Sequence, residues 1–126
     1  MQHQHTALVV EDESMIRELI VEFLEEEGFA VREAADGAQA IQMIDRQHAD
    51  YCVVLLDLML PKVSGVEVLR HLEQVDHSVP VVAMSASREH LAEAVRAGAT
   101  MAVPKPFDIA DLLAVMTRHC PRTARE

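Results

Sequence analysis

The sequence predicts an α/β fold, a flavodoxin-like (βα)5 doubly wound parallel sheet with strand order 2-1-3-4-5. Short apolar runs alternate five times with longer segments whose apolar residues recur at helical spacing. The run Tyr51–Pro61 (YCVVLLDLMLP) is apolar up to its single aspartate, as expected for a strand buried on both faces. Right-handed crossovers leave few other topologies for a chain of 126 residues.

The first half of the chain contains three predicted strands and two helices. Ala7–Val10 is a short apolar strand, Phe29–Ala35 is a weaker one, and Tyr51–Asp57 is the third. Ser14 is predicted to cap the first helix, and Gly28 stops it. An Asp-Gly turn then leads into the second helix. The apolar positions that predict these two helices are Ile16, Leu19, Ile20, Phe23 and Leu24, then Ala40, Ile41 and Ile44.

The second half repeats the alternation. A loop containing proline and glycine leads to a third helix, whose apolar set is Val66, Val68, Leu69 and Leu72. Val79–Met84 is a fourth buried strand, and Arg88–Ala97 is a helix stopped by a glycine. Met101–Val103 is a short fifth strand, and Ile109–His119 is the last helix. Without an internal repeat or a linker, residues 1–126 are predicted to form one domain with loose termini at 1–6 and 121–126.

Composition and charge narrow the class of protein. The formal net charge of −10, with no basic stripe to offset it, argues against direct binding of nucleic acid. No apolar run is long enough to cross a bilayer, and the first residues lack the blocks of a signal peptide. A cytoplasmic protein without membrane contact is therefore expected. The expected oligomeric state is a monomer or a weak homodimer.

The cysteines and the N-terminal histidines are not predicted to form a disulfide framework or a metal site. Cys52 lies inside a buried run and Cys120 lies in the tail, so neither suggests a disulfide framework. His3 and His5 could form a metal-binding tail, but no third ligand is nearby in sequence. A solvated N-terminus is the favoured interpretation.

Charged and polar side chains follow the predicted strands at one edge of the sheet. Glu11 and Asp12 follow the first strand, and Asp57 ends the third. Ser85 and Lys105 come after the fourth and fifth strands. The carboxyl ends of parallel strands meet at the same edge, where open α/β sheets keep their binding sites. Any one of these residues could simply cap a helix or form a turn, but the set of five predicts a site.

The residue types indicate phosphoryl chemistry. Three neighbouring carboxylates repel one another unless a cation compensates, and an all-oxygen cluster favours Mg²⁺ over zinc. Lys105 supplies a positive charge and Ser85 a hydroxyl donor. A carboxylate nucleophile in such surroundings can accept a phosphoryl group as an acyl phosphate.

Four segments carry a resemblance that covers essentially the whole chain. They are ALVVEDE, LLDLMLPKVSG, VVAMSAS and VPKPF, in this order and at these spacings. With them the chain resembles the receiver domain of bacterial response regulators, here of a stand-alone type. The resemblance implies a phosphorylation-controlled signalling module that takes its phosphoryl group from a histidine kinase or a histidine phosphotransfer protein. Its output would be protein–protein interaction or phosphorelay, and it would not be an enzyme in the ordinary sense.

The resemblance also implies a set of metal ligands. Asp12 and Asp57 would bind Mg²⁺ directly, Glu11 would act through water, and the backbone carbonyl of Met59 would complete the protein ligands. Glu11 stands where many relatives have aspartate, a substitution familiar in the family. The resemblance therefore implies a magnesium-dependent site.

Further implied roles concern the phosphoryl group. Asp57 would be the phosphoacceptor, Ser85 would bind a phosphoryl oxygen, and Lys105 would pair with it. The bond between Lys105 and Pro106 would be cis, which proline permits at little cost. One departure stands out, because Ala102 occupies the position at which many receivers carry a switching Tyr or Phe. The usual aromatic relay is therefore missing.

The partner surface is expected on the exposed face of the first helix. Met15, Glu18, Val21 and Glu22 are predicted to form this face beside the acidic site. In receiver domains this face docks the helical bundle that carries the phosphohistidine.

Two other classes of function stay open. The first is an interaction-only receiver that is rarely phosphorylated, or a receiver that is part of a longer regulator or hybrid kinase; Ala102 speaks slightly for rare phosphorylation. The second is a phosphatase similar to the haloacid dehalogenase class, which needs a second aspartate two residues after the nucleophile. Met59 stands at that position and argues against it.

Overall fold

A computed structural model describes residues 5–120, which form a five-stranded sheet flanked by helices. The strands are β1 (Thr6–Val10), β2 (Ala30–Ala34), β3 (Tyr51–Asp57), β4 (Val81–Ser85) and β5 (Met101–Pro104). The helices are α1 (Ser14–Glu26), α2 (Gly37–Gln47), α3 (Gly65–Val75), α4 (Arg88–Arg96) and α5 (Ile109–His119), with a 3-10 turn at His48–Asp50.

All neighbouring strands are parallel, and their order is β2-β1-β3-β4-β5. The predicted doubly wound architecture is therefore confirmed. In this order β1 and β3 are neighbours whose following chains turn to opposite faces, so a crevice opens between their carboxyl ends.

Successive residues of β3 pack into two different apolar layers. Val54 and Leu56 join the layer that α2, α3 and α4 cover. Val53 and Leu55 join the layer under α1 and α5. Both layers exclude water from β3, because side chains of a strand alternate between the two faces of the sheet. Double burial explains the continuous apolar run that precedes Asp57.

The helix starts show one wrong prediction. Ser14 does not cap α1; Glu13 is the N-cap, its backbone is extended, and its side chain makes no capping hydrogen bond. Ser14 already has a helical position, so its hydroxyl comes one residue too late to cap. A full capping box is found instead at α3, where Ser64 and Glu67 bond reciprocally to each other's backbone N–H.

Cys52 and Cys120 form a disulfide, which corrects the sequence-based prediction that they would not pair. Their Cα atoms lie 5.4 Å apart although they are 68 positions apart in sequence. The β1–β3 register jumps from Tyr51, opposite Thr6, to Val53, opposite Ala7, so Cys52 is the extra residue of a β-bulge. The bulge places Cys52 against the α1/α5 layer, in which Cys120, the C-cap residue of α5, is buried.

Several details concern the ends of the chain. His5 and Thr6 belong to the predicted loose N-terminus, yet Thr6 begins β1 and pairs with Ala30 and Tyr51, and the carbonyl of His5 accepts a hydrogen bond from the N–H of Ala30 at 2.9 Å. The rest of the predicted loose termini, 1–4 and 121–126, lies outside the described residues. Within residues 5–120, no helix is long and apolar enough to cross a membrane.

The peptide bond between Lys105 and Pro106 is cis, as predicted.

Candidate functional site

Asp57 lies at the carboxyl end of β3, at the edge of the sheet where the crevice opens. Its side chain is almost fully buried, yet both carboxylate oxygens are hydrogen-bonded. The backbone N–H of Met59 donates to Oδ1 at 3.0 Å, and Lys105 Nζ donates to Oδ2 at 3.0 Å. The two donors hold the free carboxylate in one orientation, which a nucleophile needs.

Lys105 follows β5 and reaches back across the edge to two acidic groups. Beyond its bond to Asp57, Nζ lies 3.4 Å from Oε1 of Glu11. Burial alone would lower the pKa of the Lys105 ammonium, but the hydrogen bond and charge of Asp57, joined by Glu11, outweigh it and raise that pKa. Lys105 therefore stays a cation in this site.

Glu11 and Asp12 join Asp57 in an acidic cluster. One carboxylate oxygen from each of the three residues lies within 4.8 Å of the others. Glu11 is fully buried, whereas Asp12 is exposed to solvent. Burial, followed by the negative charge of Asp57, raises the pKa of Glu11 to about 7, against the lowering effects of the Glu13 N–H and Lys105. The cluster carries more negative charge than its surroundings neutralise.

Ser85 ends β4 one residue beyond Met84, which pairs with Asp57 in the sheet. Its hydroxyl is fully buried and accepts a hydrogen bond from the backbone N–H of Ser87 at 3.0 Å. The hydroxyl hydrogen can then be donated to an oxygen of a group held beside Asp57. The structure thus brings all the predicted polar side chains to the same edge of the sheet.

Gly65 lets helix α3 begin against the backbone that carries Asp57. A Cβ atom at this position would overlap the backbone of Asp57 and Leu58, neither of which can yield as a flexible side chain can. The N–H of Gly65 donates to the carbonyl of Leu58 at 3.0 Å and closes the loop. The glycine therefore fixes the loop that presents Met59 to the site.

Arg17 supports the acidic cluster, although nothing in the sequence predicts this role. Its guanidinium donates to the backbone carbonyl of Glu11 at 2.7 Å and to Oε1 of Glu33 at 3.0 Å. It thereby ties the end of β1 to α1 and β2. A bond to a backbone oxygen leaves no pattern of residue types in the sequence, so the sequence held no signal for this role.

An apolar groove of about 420 Å³ opens beside the site, between α1 and the loop that follows β5. Its lining includes Leu19, Pro106 and Phe107. The surface of α1 here differs from the predicted one, because Val21 is buried while Leu19 is about half exposed. Val21 packs into the layer shared with α5 and β2, which turns the neighbouring face of the helix outward.

The raised pKa of Glu11 predicts how stability depends on pH in the presence of a chelator. Its pKa is 4.5 in the unfolded chain and about 7 in the fold, so the folded state holds more protons between these values. The free energy of unfolding should therefore fall as the pH rises from about 4.5 to about 7. Millimolar Mg²⁺ should recover stability above that range.

Urea unfolding across this pH range measures both effects, and Glu11→Gln is the control that should flatten the slope. An equal slope in Glu11→Gln would contradict the assignment.

Comparison with known proteins identifies the family. A family model described as the response regulator receiver domain matches residues 7–117. Sporulation initiation phosphotransferase F of Bacillus subtilis is 32% identical over 116 residues, which cover 90% of this chain and 92% of that protein. Response regulator MprA of a Mycobacterium species is 36% identical over 120 residues, which cover 93% of this chain. The same match covers only about half (51%) of MprA.

A solved structure supports the same family assignment. The receiver domain of a sensor histidine kinase from Pseudomonas aeruginosa, which has a magnesium ion coordinated in its active site cleft, superimposes with a TM-score of 0.84. It is 28% identical, and the match covers 93% of this chain and 98% of that one. The chain belongs to the response regulator receiver domain family. It is a signalling module of the two-component type.

Proposed function

We propose that Asp57 accepts a phosphoryl group from the phosphohistidine of a histidine kinase or a histidine phosphotransfer protein. The observation that carries this proposal is a buried carboxylate with one oxygen 3.0 Å from a lysine ammonium, beside two further carboxylates. The site concentrates fixed charge around a single nucleophile at the open edge of the sheet.

The transfer step requires a nucleophile and groups that meet the phosphoryl charge. An oxygen of Asp57 attacks phosphorus, the P–N bond to the donor imidazole breaks, and an acyl phosphate forms; the imidazole leaves with its electron pair and takes a proton. Lys105 is placed to move from the carboxylate to a phosphoryl oxygen. Ser85 can donate its hydroxyl hydrogen to another oxygen of the same group.

We propose that the acidic cluster holds Mg²⁺. The donor set fits a hard cation, because Glu11, Asp12 and Asp57 offer oxygens alone, and burial followed by the charge of Asp57 raises the pKa of Glu11. Asp12 and Asp57 would bind the ion directly, Glu11 through water, and Met59 through its backbone carbonyl. When bound, Mg²⁺ supplies positive charge that the transferring phosphoryl oxygens need. The Pseudomonas receiver with magnesium in its cleft supports this proposal.

Replacing Lys105 tests the division of roles within the site. Lys105→Ala should slow labelling by acetyl phosphate about a hundredfold, because one charged donor to the phosphoryl group is lost. Mg²⁺ affinity should stay the same or rise, since the variant removes a cation that competes for Asp57. Isothermal titration and a labelling time course measure the two quantities.

Lys62→Ala is the matched control, because Lys62 lies in the loop after β3 but pairs only distantly, at 3.9 Å, with Asp36. It should label like the wild type. A parallel loss of Mg²⁺ affinity and labelling in Lys105→Ala would contradict the separate roles.

We propose that the donor protein docks on α1 and the loop after β5. Met15 and Leu19 are exposed apolar side chains of α1, and Leu19 lines the groove that also reaches Lys105. An apolar groove that opens next to the phosphoacceptor can bind a helical bundle while its phosphohistidine enters the site.

Leu19→Glu separates docking from chemistry. Phosphotransfer from a phosphorylated bundle should slow about tenfold or more, since a buried interface contact is replaced by a charge. Labelling by acetyl phosphate, which needs no docking, should be unchanged. Val95→Glu, an equally exposed apolar position on α4, is the control and should leave both rates unchanged. Equal slowing with both phosphoryl donors would place the effect in the chemistry instead.

A further inference from the structure

A second cluster of metal-ligating side chains lies at the opposite end of the sheet. Nδ1 of His5 is 3.3 Å from Sγ of Cys120, which is joined to Cys52. The ligand atoms of these three residues all lie within 4.8 Å of one another. Cys120 is buried, while His5 and Cys52 are partly buried.

We propose that His5, Cys52 and Cys120 form a binding site for one thiophilic metal ion, of which zinc is the example, when the disulfide is reduced. The disulfide and the metal-bound dithiolate are then two exclusive states of one site. The site has no part in the phosphoryl chemistry described above.

The geometry of the cluster fits such an ion. Tetrahedral zinc with Zn–S bonds of about 2.3 Å and Zn–N bonds of about 2.0 Å holds a sulfur and a nitrogen about 3.5 Å apart. The observed separation between Cys120 Sγ and His5 Nδ1 is 3.3 Å. After reduction, the two sulfurs need to separate to about 3.8 Å, which rotation of the side chains about their Cα–Cβ bonds can supply. Three protein ligands leave one position for water or an external ligand.

This site differs from the acidic one in its position along β3 and in the softness of its ligand atoms. Cys52 is near the start of β3 and Asp57 is at its end, so about 16 Å of strand lies between them. Thiolate and imidazole ligands select soft or borderline ions, whereas an all-oxygen cluster selects Mg²⁺. Each end of β3 therefore favours a different kind of cation.

The three ligands come from separate parts of the chain. His5 directly precedes β1, Cys52 is the bulge residue of β3, and Cys120 directly follows α5. A bound ion would join the start of the sheet to the end of the last helix, as the disulfide does in the oxidised state. Either link fixes α5 against the sheet.

The conversion of the disulfide into a metal-bound dithiolate balances in electrons and protons. A dithiol or phosphine reductant supplies two electrons, and with two protons the disulfide becomes two thiols while the reductant is oxidised. Zinc then displaces one proton from each thiol, so that binding of one ion releases two protons.

Cobalt is the probe that tests the proposal, because thiolate-bound Co²⁺ absorbs in the near ultraviolet and oxygen-bound Co²⁺ does not. Full-length protein is reduced with a phosphine and titrated with Co²⁺ in excess Mg²⁺. We expect a thiolate-to-cobalt band that saturates at one equivalent and is removed by one equivalent of Zn²⁺. Protein with its disulfide intact should show no band. Absence of the band in the reduced protein would overturn the proposal.

Variants test each ligand. Cys52→Ser should lose most of the band, and His5→Gln should weaken Co²⁺ affinity by at least about tenfold. His119→Gln is the matched control, because His119 neighbours Cys120 in sequence but lies outside the cluster, and it should bind as the wild type does. Wild-type affinity in His5→Gln, or an equal loss in His119→Gln, would refute the role of His5. His5→Gln keeps both cysteines, so the test remains valid if a cysteine variant fails to fold.

Discussion

The substitution Asp57→Asn should abolish labelling of the domain by acetyl phosphate in the presence of Mg²⁺. An amide of the same size keeps the shape of the side chain but removes the nucleophilic oxygen. It also removes the negative charge that Lys105 Nζ meets at 3.0 Å. Phosphate-affinity electrophoresis or intact mass, read before the acyl phosphate hydrolyses, measures the labelled fraction.

Asp111→Asn is the matched control, since Asp111 is an exposed carboxylate in the first turn of α5. It should label like the wild type. Both variants should unfold cooperatively, which separates a loss of chemistry from a loss of fold. Labelling that persists in Asp57→Asn would move the phosphoacceptor to another residue.

Reduction of the bond between Cys52 and Cys120 should lower the free energy of unfolding by about 4 kcal/mol in metal-free buffer. The two residues are 68 positions apart, so the bond closes a long loop and restricts the unfolded chain. Chain-entropy estimates for a loop of this length give about 4 kcal/mol. Urea unfolding with and without a phosphine reductant, in the presence of a chelator, measures the difference.

Cys52→Ser supplies the control for this prediction. The variant cannot form the bond, so reductant should leave its unfolding curve unchanged, and its stability should resemble that of the reduced wild type. A thiol count before reduction should find no free cysteine in the wild type, as the structure shows for the described residues. Equal stability of oxidised and reduced wild type would contradict the prediction.

The fold class could be predicted from sequence because each element leaves a periodic pattern. A strand buried on both faces must be apolar throughout, and β3 is apolar until Asp57. The position of the candidate site follows from the same argument, since parallel strands end at a common edge. Lys105 and Glu11 are 94 positions apart in sequence, yet the strand order alone places them at one edge.

The surface of α1 shows where periodicity fails. Leu19 is one of the apolar positions that predict α1, and Val21 is predicted to be exposed, yet the two lie at opposite edges of the apolar stripe, so the pattern alone does not decide which of them is buried. The rotation of α1 is set by its contacts with β2 and α5, which bury Val21 and leave Leu19 at the groove. Tertiary packing therefore defines the proposed docking surface.

The sequence by itself determined the alternation of elements, their order in the sheet and the polar residues at its carboxyl edge, because these depend on periodicity and local chemistry. Only the tertiary structure decided which distant side chains meet at the other end. Regular alternation would turn Cys52 away from the face on which Val53 packs, but the bulge in β3 turns it toward Cys120 and His5. A bulge depends on how two strands pair, and no single segment of sequence encodes it.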